Sequence, residues 1–180
     1  MGKIIQTITP ELREFIEAQK IFFVGTAMST GKVNISPKGM DSLRVIDTNR
    51  VIWLNVTGSG NETAAHLLEI NRMTIMFCAF EGKPLILRLY GKAKVYHPSD
   101  AEWDDYIHLF PPNPGSRQLF DVEVETIQTS CGMAVPFMDY KEDREDLTKW
   151  ADKKGEEKIK EYWEEKNTKS LDGFPTGIFG

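Results

Sequence analysis

Cysteine is scarce in this sequence, basic residues are not in excess, and no apolar run is long. Only Cys78 and Cys131 occur among 180 residues, and neither sits in a CxxC pair or a Cys/His cluster. That spacing offers no disulfide framework and no zinc motif, so no metal is expected. Cys78 lies inside the apolar run Met73 to Phe80 and reads as a small buried hydrophobe. Lys and Arg number 22 against 27 Asp and Glu, a net charge of −5. Such a chain has no positive field to draw nucleic acid or an anionic membrane. No segment approaches the length of a membrane span, the first residues do not read as a signal peptide, and Gln6 breaks the myristoylation pattern that Gly2 begins. The expectation is a reduced, cytoplasmic protein.

What is present is a β-rich pattern. Thr9-Pro10-Glu11 opens a first helix, with Thr9 as cap and proline in the first turn. Ile21 to Ala27 is an apolar strand, and Val33 to Ser36 alternates as a half-buried one should. Leu43 to Asp47 and Arg50 to Val56 flank Thr48-Asn49 as a hairpin. A short helix follows Gly60, then strands Arg72 to Phe80 and Leu85 to Tyr96. Ser99-Asp100-Ala101-Glu102 has the form of a capping box and opens a helix to about Phe110. Leu119 to Ile127 is the last strand. Beyond Tyr140 charge dominates, with Leu147, Trp150, Ile159, Tyr162 and Trp163 at helical spacing and Gly155 between two short helices. Short turns between many strands predict a mainly β fold, an antiparallel barrel, in preference to a parallel α/β sheet. Residues 1–140 are expected to form the barrel, and 141–180 a charged helical extension packed on it, in one domain overall. Phe137, Met138 and Tyr140 are expected to pack against that extension.

Chemistry concentrates in Asn55-Val56-Thr57-Gly58-Ser59-Gly60-Asn61-Glu62-Thr63, where a strand passes into a helix. Glycines let backbone approach a ligand, and a helix start offers unpaired N–H groups with partial positive charge. Ser59, Asn61 and Thr63 add side-chain donors, so the segment suits a phosphate. It is neither a Walker loop nor a GxGxxG turn. Ser59-x-x-Glu62 can equally be a capping box with no ligand at all, and a carboxylate at Glu62 repels a phosphate. A cation must therefore arrive from elsewhere, and Lys38, Arg72 and Arg88 are the candidates. His66, His97 and His108 lack metal-ligand or nucleophile spacing and read as structural.

The order of these pieces resembles the pyridoxamine 5′-phosphate oxidase-like, FMN-binding split-barrel family. The resemblance is carried by Phe22-Phe23-Val24-Gly25-Thr26-Ala27, Asn34-Ile35-Ser36-Pro37-Lys38-Gly39, Val51-Ile52-Trp53-Leu54-Asn55, the Gly-Ser turn with Ala65 to Arg72, and Leu89-Tyr90-Gly91-Lys92-Ala93. It implies an antiparallel six-stranded split β-barrel with flanking helices. It also implies a homodimer with FMN at the interface and oxidoreductase chemistry on an unnamed small molecule. In that picture Ser36, Pro37 and Lys38 line one side of the flavin, and Trp53, Leu54 and Asn55 run along the ring through backbone groups. Gly58, Ser59, Asn61 and Thr63 hold the phosphate, with Arg88 as a further partner across the dimer. Thr63-Ala64 stands where the oxidase itself has an Arg-Lys pair, and the C-terminal tail lacks its substrate-binding Arg and His. The resemblance therefore implies the flavin and not the vitamin B6 substrate. A flavin-storage protein, or the same barrel holding a deazaflavin or haem, are the alternatives. No catalytic acid or base is assigned.

Overall fold

The computed structural model describes residues 2–180. In chain order the elements are β1 (Lys3–Ile5), α1 (Pro10–Ala18), β2 (Phe22–Thr26), β3 (Asn34–Lys38), β4 (Leu43–Asp47), β5 (Arg50–Val56), α2 (Glu62–Glu69), β6 (Met73–Cys78), β7 (Ile86–Tyr96), α3 (Ala101–Ile107), β8 (Ser116–Ser130), α4 (Asp146–Lys154) and α5 (Glu156–Lys166). The strands form one antiparallel sheet in the order β3-β2-β6-β7-β8-β5-β4, with β1 added beside β8. The path does not close, which is the split of a split barrel.

Eight strands are found where the resemblance implied six. The short β1 is too brief to show a period, and it forms only because the C-terminal half of β8 offers it a free edge at Ile127 to Thr129. That strand is also longer than its apolar alternation suggests. It starts at Ser116, so Arg117 and Gln118, which read as loop, are strand residues: Gln118 pairs with Asn55 of β5, and Arg117 falls at the bulge before Ser116 pairs with Val56. Strand β8 is the spine of the sheet: β7 runs along it from Leu119 to Ser130, β5 flanks its first half and β1 its second. A bulge between Tyr90 and Gly91 bends β7 around it. A methyl group at Gly91 would overlap the Glu123 carbonyl oxygen, so only glycine fits there.

The sheet wraps a core of Val24, Val51, Trp53, Ile75, Phe77, Leu87, Leu89, Phe120 and Ile127, with α1 as a lid through Leu12 and Ile16. Thr9 caps α1 by accepting from Leu12 N (3.3 Å), as its sequence predicts. A second apolar cluster joins Ile52, Leu54 and Leu119 to Trp103 and Phe110. Helix α3 is capped differently from expectation. Asp100 is the N-cap, and its carboxylate accepts from His97 N (2.7 Å) instead of from the helix. The C-terminal segment packs through Ala151, Ile159, Trp163 and Ile178. Gly155, at φ 76°, separates α4 from α5 in a conformation that glycine tolerates best. The segment between β8 and α4 departs from the packing expected of it: Phe137 is 82% exposed, and Met138 and Tyr140 are also exposed. The apolar residues of α4 and α5, namely Trp150, Ala151, Ile159, Tyr162 and Trp163, pack with one another and with Ile178 instead.

Candidate functional site

The segment from Val56 to Thr63 does what its glycines allow: it leaves β5, turns, and enters α2. Thr57 anchors the turn by bonding Gly115 O through both its N (2.7 Å) and its Oγ1 (2.9 Å). Trp163 Nε1 donates to the same Oγ1 (2.8 Å), so α5 clamps the turn from behind. The capping-box alternative fails. Asn61 is the N-cap of α2 and makes no side-chain cap bond. The Glu62 carboxylate turns away to accept from Leu171 N (3.1 and 3.0 Å). The first N–H groups of α2 thus keep their unpaired, partially positive character, while the Glu62 carboxylate remains beside the helix start with its oxygens engaged by Leu171 N.

In front of this helix start lies a cleft of about 570 Å³. Of the residues singled out in the sequence, Ser36, Lys38, Asn55, Gly58, Ser59, Asn61 and Thr63 all line it. The other four lie elsewhere. Pro37 is exposed on β3, its side chain on the opposite face from Ser36 and Lys38 as strand alternation requires. Trp53 is fully buried behind the cleft, stacked on Phe120 with ring centroids 4.3 Å apart. Leu54 points into the second apolar cluster. Arg88 on β7 donates to Ser130 Oγ (3.2 Å) and does not reach this chain's own cleft.

Two further contributors escaped sequence reasoning. One is Arg117, at the start of β8, only 2% exposed. Its Nη1 donates to Asn167 Oδ1 (2.6 Å) and Gly60 O (3.1 Å), and burial pulls its pKa down to about 10. Among the described residues no carboxylate is bonded to it. The other is the C-terminal tail, where Lys166, Lys169, Ser170 and Leu171 form one wall of the cleft. Asn167 is the keystone: its Oδ1 receives Arg117, its Nδ2 donates to Gly58 O (3.1 Å), and its carbonyl receives Asn61 Nδ2 (3.3 Å). Neither contributor has a local signature, because an arginine at a strand end ordinarily snorkels to solvent. Only the return of the chain over it makes the burial.

Lys38 completes the electrostatics. Its Nζ donates to Asn55 Oδ1 (3.3 Å) and lies 5.3 Å from the Trp53 ring centroid. Burial, and then the Arg117 charge, lower its pKa to about 8. Four buried side-chain polar atoms among the described residues have no partner: Ser36 Oγ, Asn61 Oδ1, Arg117 Nε and Trp53 Nε1. The first three belong to residues that line this cleft. Buried polar groups are normally paired, and a buried cation without a counter-charge is costly. The arrangement is therefore complementary to an anion with hydrogen-bonding oxygens.

Residues 8–131 match the family model described as pyridoxamine 5′-phosphate oxidase. The pyridoxamine 5′-phosphate oxidase family protein ustO of Aspergillus flavus is 33% identical over 190 residues, covering 94% of this chain and 76% of that one. Among solved structures, HupZ of Group A Streptococcus superposes with a TM-score of 0.54 at 22% identity, over 67% of this chain and 91% of that chain. A Lactobacillus delbrueckii protein named after pyridoxamine 5′-phosphate oxidase gives 0.53 at 15% identity, over 68% and 98%. At such identities the two structures speak for the fold alone. The tail that walls the cleft lies beyond the stretch matched by the family model.

Proposed function

The chain belongs to the pyridoxamine 5′-phosphate oxidase family, and we propose that within it this protein is an FMN-binding flavoprotein, an oxidoreductase acting as a homodimer in the reducing cytoplasm. The observation that carries the reading is the unmatched polarity of the cleft: an uncapped helix start, the buried Arg117, Lys38, and three orphaned polar groups around one hollow. A phosphate supplies the acceptor oxygens that the helix N–H groups, Lys38, Arg117 Nε and Ser36 Oγ lack.

The residues fit the cofactor in the following way. The α2 N–H groups, Ser59, Asn61, Thr63 and Arg117 hold the phosphate. Ser36, Lys38 and Asn55 extend the polar wall toward the ring. When bound, the isoalloxazine ring supplies hydride or single-electron transfer. The chain's own part is to bind, to orient, and to set a positive charge against the ligand through Lys38. Haem fits less well: among the described residues no His, Cys, Met or Tyr lines the cleft to ligate iron.

Dimerisation has its own support. A hollow of about 470 Å³ on the outer face of β2, β6 and β7 is lined by Phe23, Val33, Ile35, Met73, Met76 and Tyr90. Ile35 and Val33 are 69% and 68% exposed. An apolar face of this kind marks an interaction surface, and a two-fold pairing buries it twice over. Arg88 projects from the same face of β7 as Tyr90, in register with Met76, so its assignment is to the partner's cofactor. Among the described residues no helix is long and apolar enough to cross a membrane.

The test is a pair of titrations. FMN should bind at least about tenfold more tightly than riboflavin, the discrimination expected when a phosphate makes charge-assisted bonds. Equal affinities would refute the phosphate site. Sedimentation should give twice the chain mass with or without FMN, and a monomer binding FMN at full stoichiometry would refute the shared site. Turnover of NADH or NADPH by the loaded protein separates an oxidoreductase from a flavin store.

A further inference from the structure

A file of polar side chains leads away from the cleft, across the neighbouring strands β5 and β8, and ends at the start of α3. Lys38 Nζ donates to Asn55 Oδ1 (3.3 Å), and Asn55 Nδ2 donates to Gln118 Oε1 (3.3 Å). Gln118 Nε2 lies 3.2 Å from His97 Nε2, and His97 Nδ1 lies 3.4 Å from Asp100 Oδ2. Asn55 and Gln118 are buried, so water does not compete for the middle links.

The two ends dictate the direction of every bond. An ammonium only donates and a carboxylate only accepts. With Lys38 donating, Asn55 must offer it the amide oxygen and turn its NH2 to Gln118. Gln118 must then offer oxygen to Asn55 and NH2 to His97. That leaves His97 Nε2 as an acceptor, with the ring proton on Nδ1 facing Asp100. All five groups are satisfied in this one polarity, and His97 is neutral in it.

A second proton on His97 reverses the file. Nε2 becomes a donor facing a donor, so Gln118 must rotate its amide, and then Asn55 must rotate as well. An NH2 group now faces the Lys38 nitrogen, which can accept it only after releasing a proton to solvent. The file thus has two self-consistent states, charged at one end or at the other. The geometry points to His97 as a positioning residue for the cleft: its protonation state sets the orientation of Asn55, and through it whether Lys38 is held as a cation against an anionic ligand.

The charged groups facing His97 are Asp100 from the α3 cap and Arg117 from β8. Burial is the largest influence on the ring and lowers its pKa, Asp100 raises it, and Arg117 lowers it again. Lys38 in turn faces Arg117 and shares its cleft with Glu62, Lys166 and Lys169. The resting state at neutral pH is therefore neutral His97 and charged Lys38, the state competent to bind an anion.

The ligand arm of the test rests on the FMN reading, whereas the spectroscopic arm does not. Imidazole NMR of the ligand-free protein should show His97 as the Nδ1–H tautomer. Asn55→Leu cuts the file without changing any charge, and Gln118 is then free to turn its oxygen to His97. The His97 midpoint should rise by about 0.5 or more. Asn55→Ala gives the same reading if the larger side chain disturbs folding. An unchanged midpoint in a folded variant, or an Nε2–H tautomer in the parent protein, overturns the inference. In the ligand arm, FMN dissociation constants are compared for the parent and His97→Gln between about pH 5.5 and 7.5. Their ratio cancels the ionisation of the FMN phosphate. The parent should lose affinity relative to His97→Gln by about threefold or more as pH falls. A constant ratio overturns the coupling. If neither protein binds FMN, the FMN reading fails and the NMR result alone decides this inference.

Discussion

Lys38→Met should make the empty protein more stable and its complex weaker. Burial, followed by the Arg117 charge, lowers the lysine pKa from 10.5 to about 8. Keeping the ammonium charged at neutral pH therefore costs at most roughly 3 kcal/mol. The side chain retains some solvent, so about 2 kcal/mol is the working figure. Methionine keeps the stem beside the Trp53 ring and forfeits the bond to Asn55 Oδ1, worth about 1 kcal/mol. The net gain at pH 7 is about 1 kcal/mol, or a few degrees in Tm for a domain of this length. Between pH 8 and 10.5 the folded protein binds fewer protons than the unfolded chain, so the stability of the parent rises with pH through that window while the variant's does not. The difference should shrink by about 2 kcal/mol and change sign by about pH 10.5. Urea unfolding of ligand-free protein at both pH values, followed by tryptophan fluorescence, measures it. A gap independent of pH, or a variant less stable at pH 7, refutes the account of Lys38 as an uncompensated buried cation. Binding moves the other way: FMN affinity should drop about tenfold or more with the loss of a charge-assisted bond.

Arg117→Met should weaken FMN binding by about 1.5–3 kcal/mol and leave riboflavin binding nearly unchanged, read by calorimetry; a loss shared equally by both ligands would place Arg117 away from the phosphate. FMN affinity should hold up to about pH 8 and fall above it, because the free protein surrenders the Lys38 proton there while the complex retains it; a flat profile from pH 7 to about pH 9.5 contradicts this. Asn167→Ala removes the acceptor for Arg117 and the donor to Gly58, and should cost about 1–3 kcal/mol in thermal unfolding together with a loss of FMN affinity. Gly91→Ala, which sets a methyl against the Glu123 carbonyl, should cost about 3 kcal/mol or more and deplete soluble protein.

The sequence carried the barrel because its strands are local objects: the apolar run in Arg50 to Val56, the alternation in Leu85 to Tyr96, and turn residues between strands appear within a few positions. It carried the turn from β5 into α2 for the same reason, since glycines and a helix start are adjacent in the chain. What it hid depends on distant return. Arg117 looks like a strand-end arginine until the tail folds over it, with Asn167 as its partner. Glu62 looks like a cap until the backbone N–H of Leu171 claims it. Arg88 has the composition of a ligand residue and, within one chain, sits half-buried on a central strand with only Ser130 as its bonded side-chain partner. Its two possible roles differ only by a second subunit, about which one sequence is silent.

Asn167 also imposes an order of events on synthesis. Its contacts tie together Gly58, Asn61 and Arg117, the last of these 50 positions earlier in the chain. During translation the sheet can pair as soon as β8 has emerged, while the hollow in front of α2 still lacks a wall and its arginine still faces water. A nascent barrel is therefore foldable before it is loadable. On the FMN reading, cofactor capture waits for α5 to clear the ribosome and dock, which favours loading a chain whose folding is nearly finished.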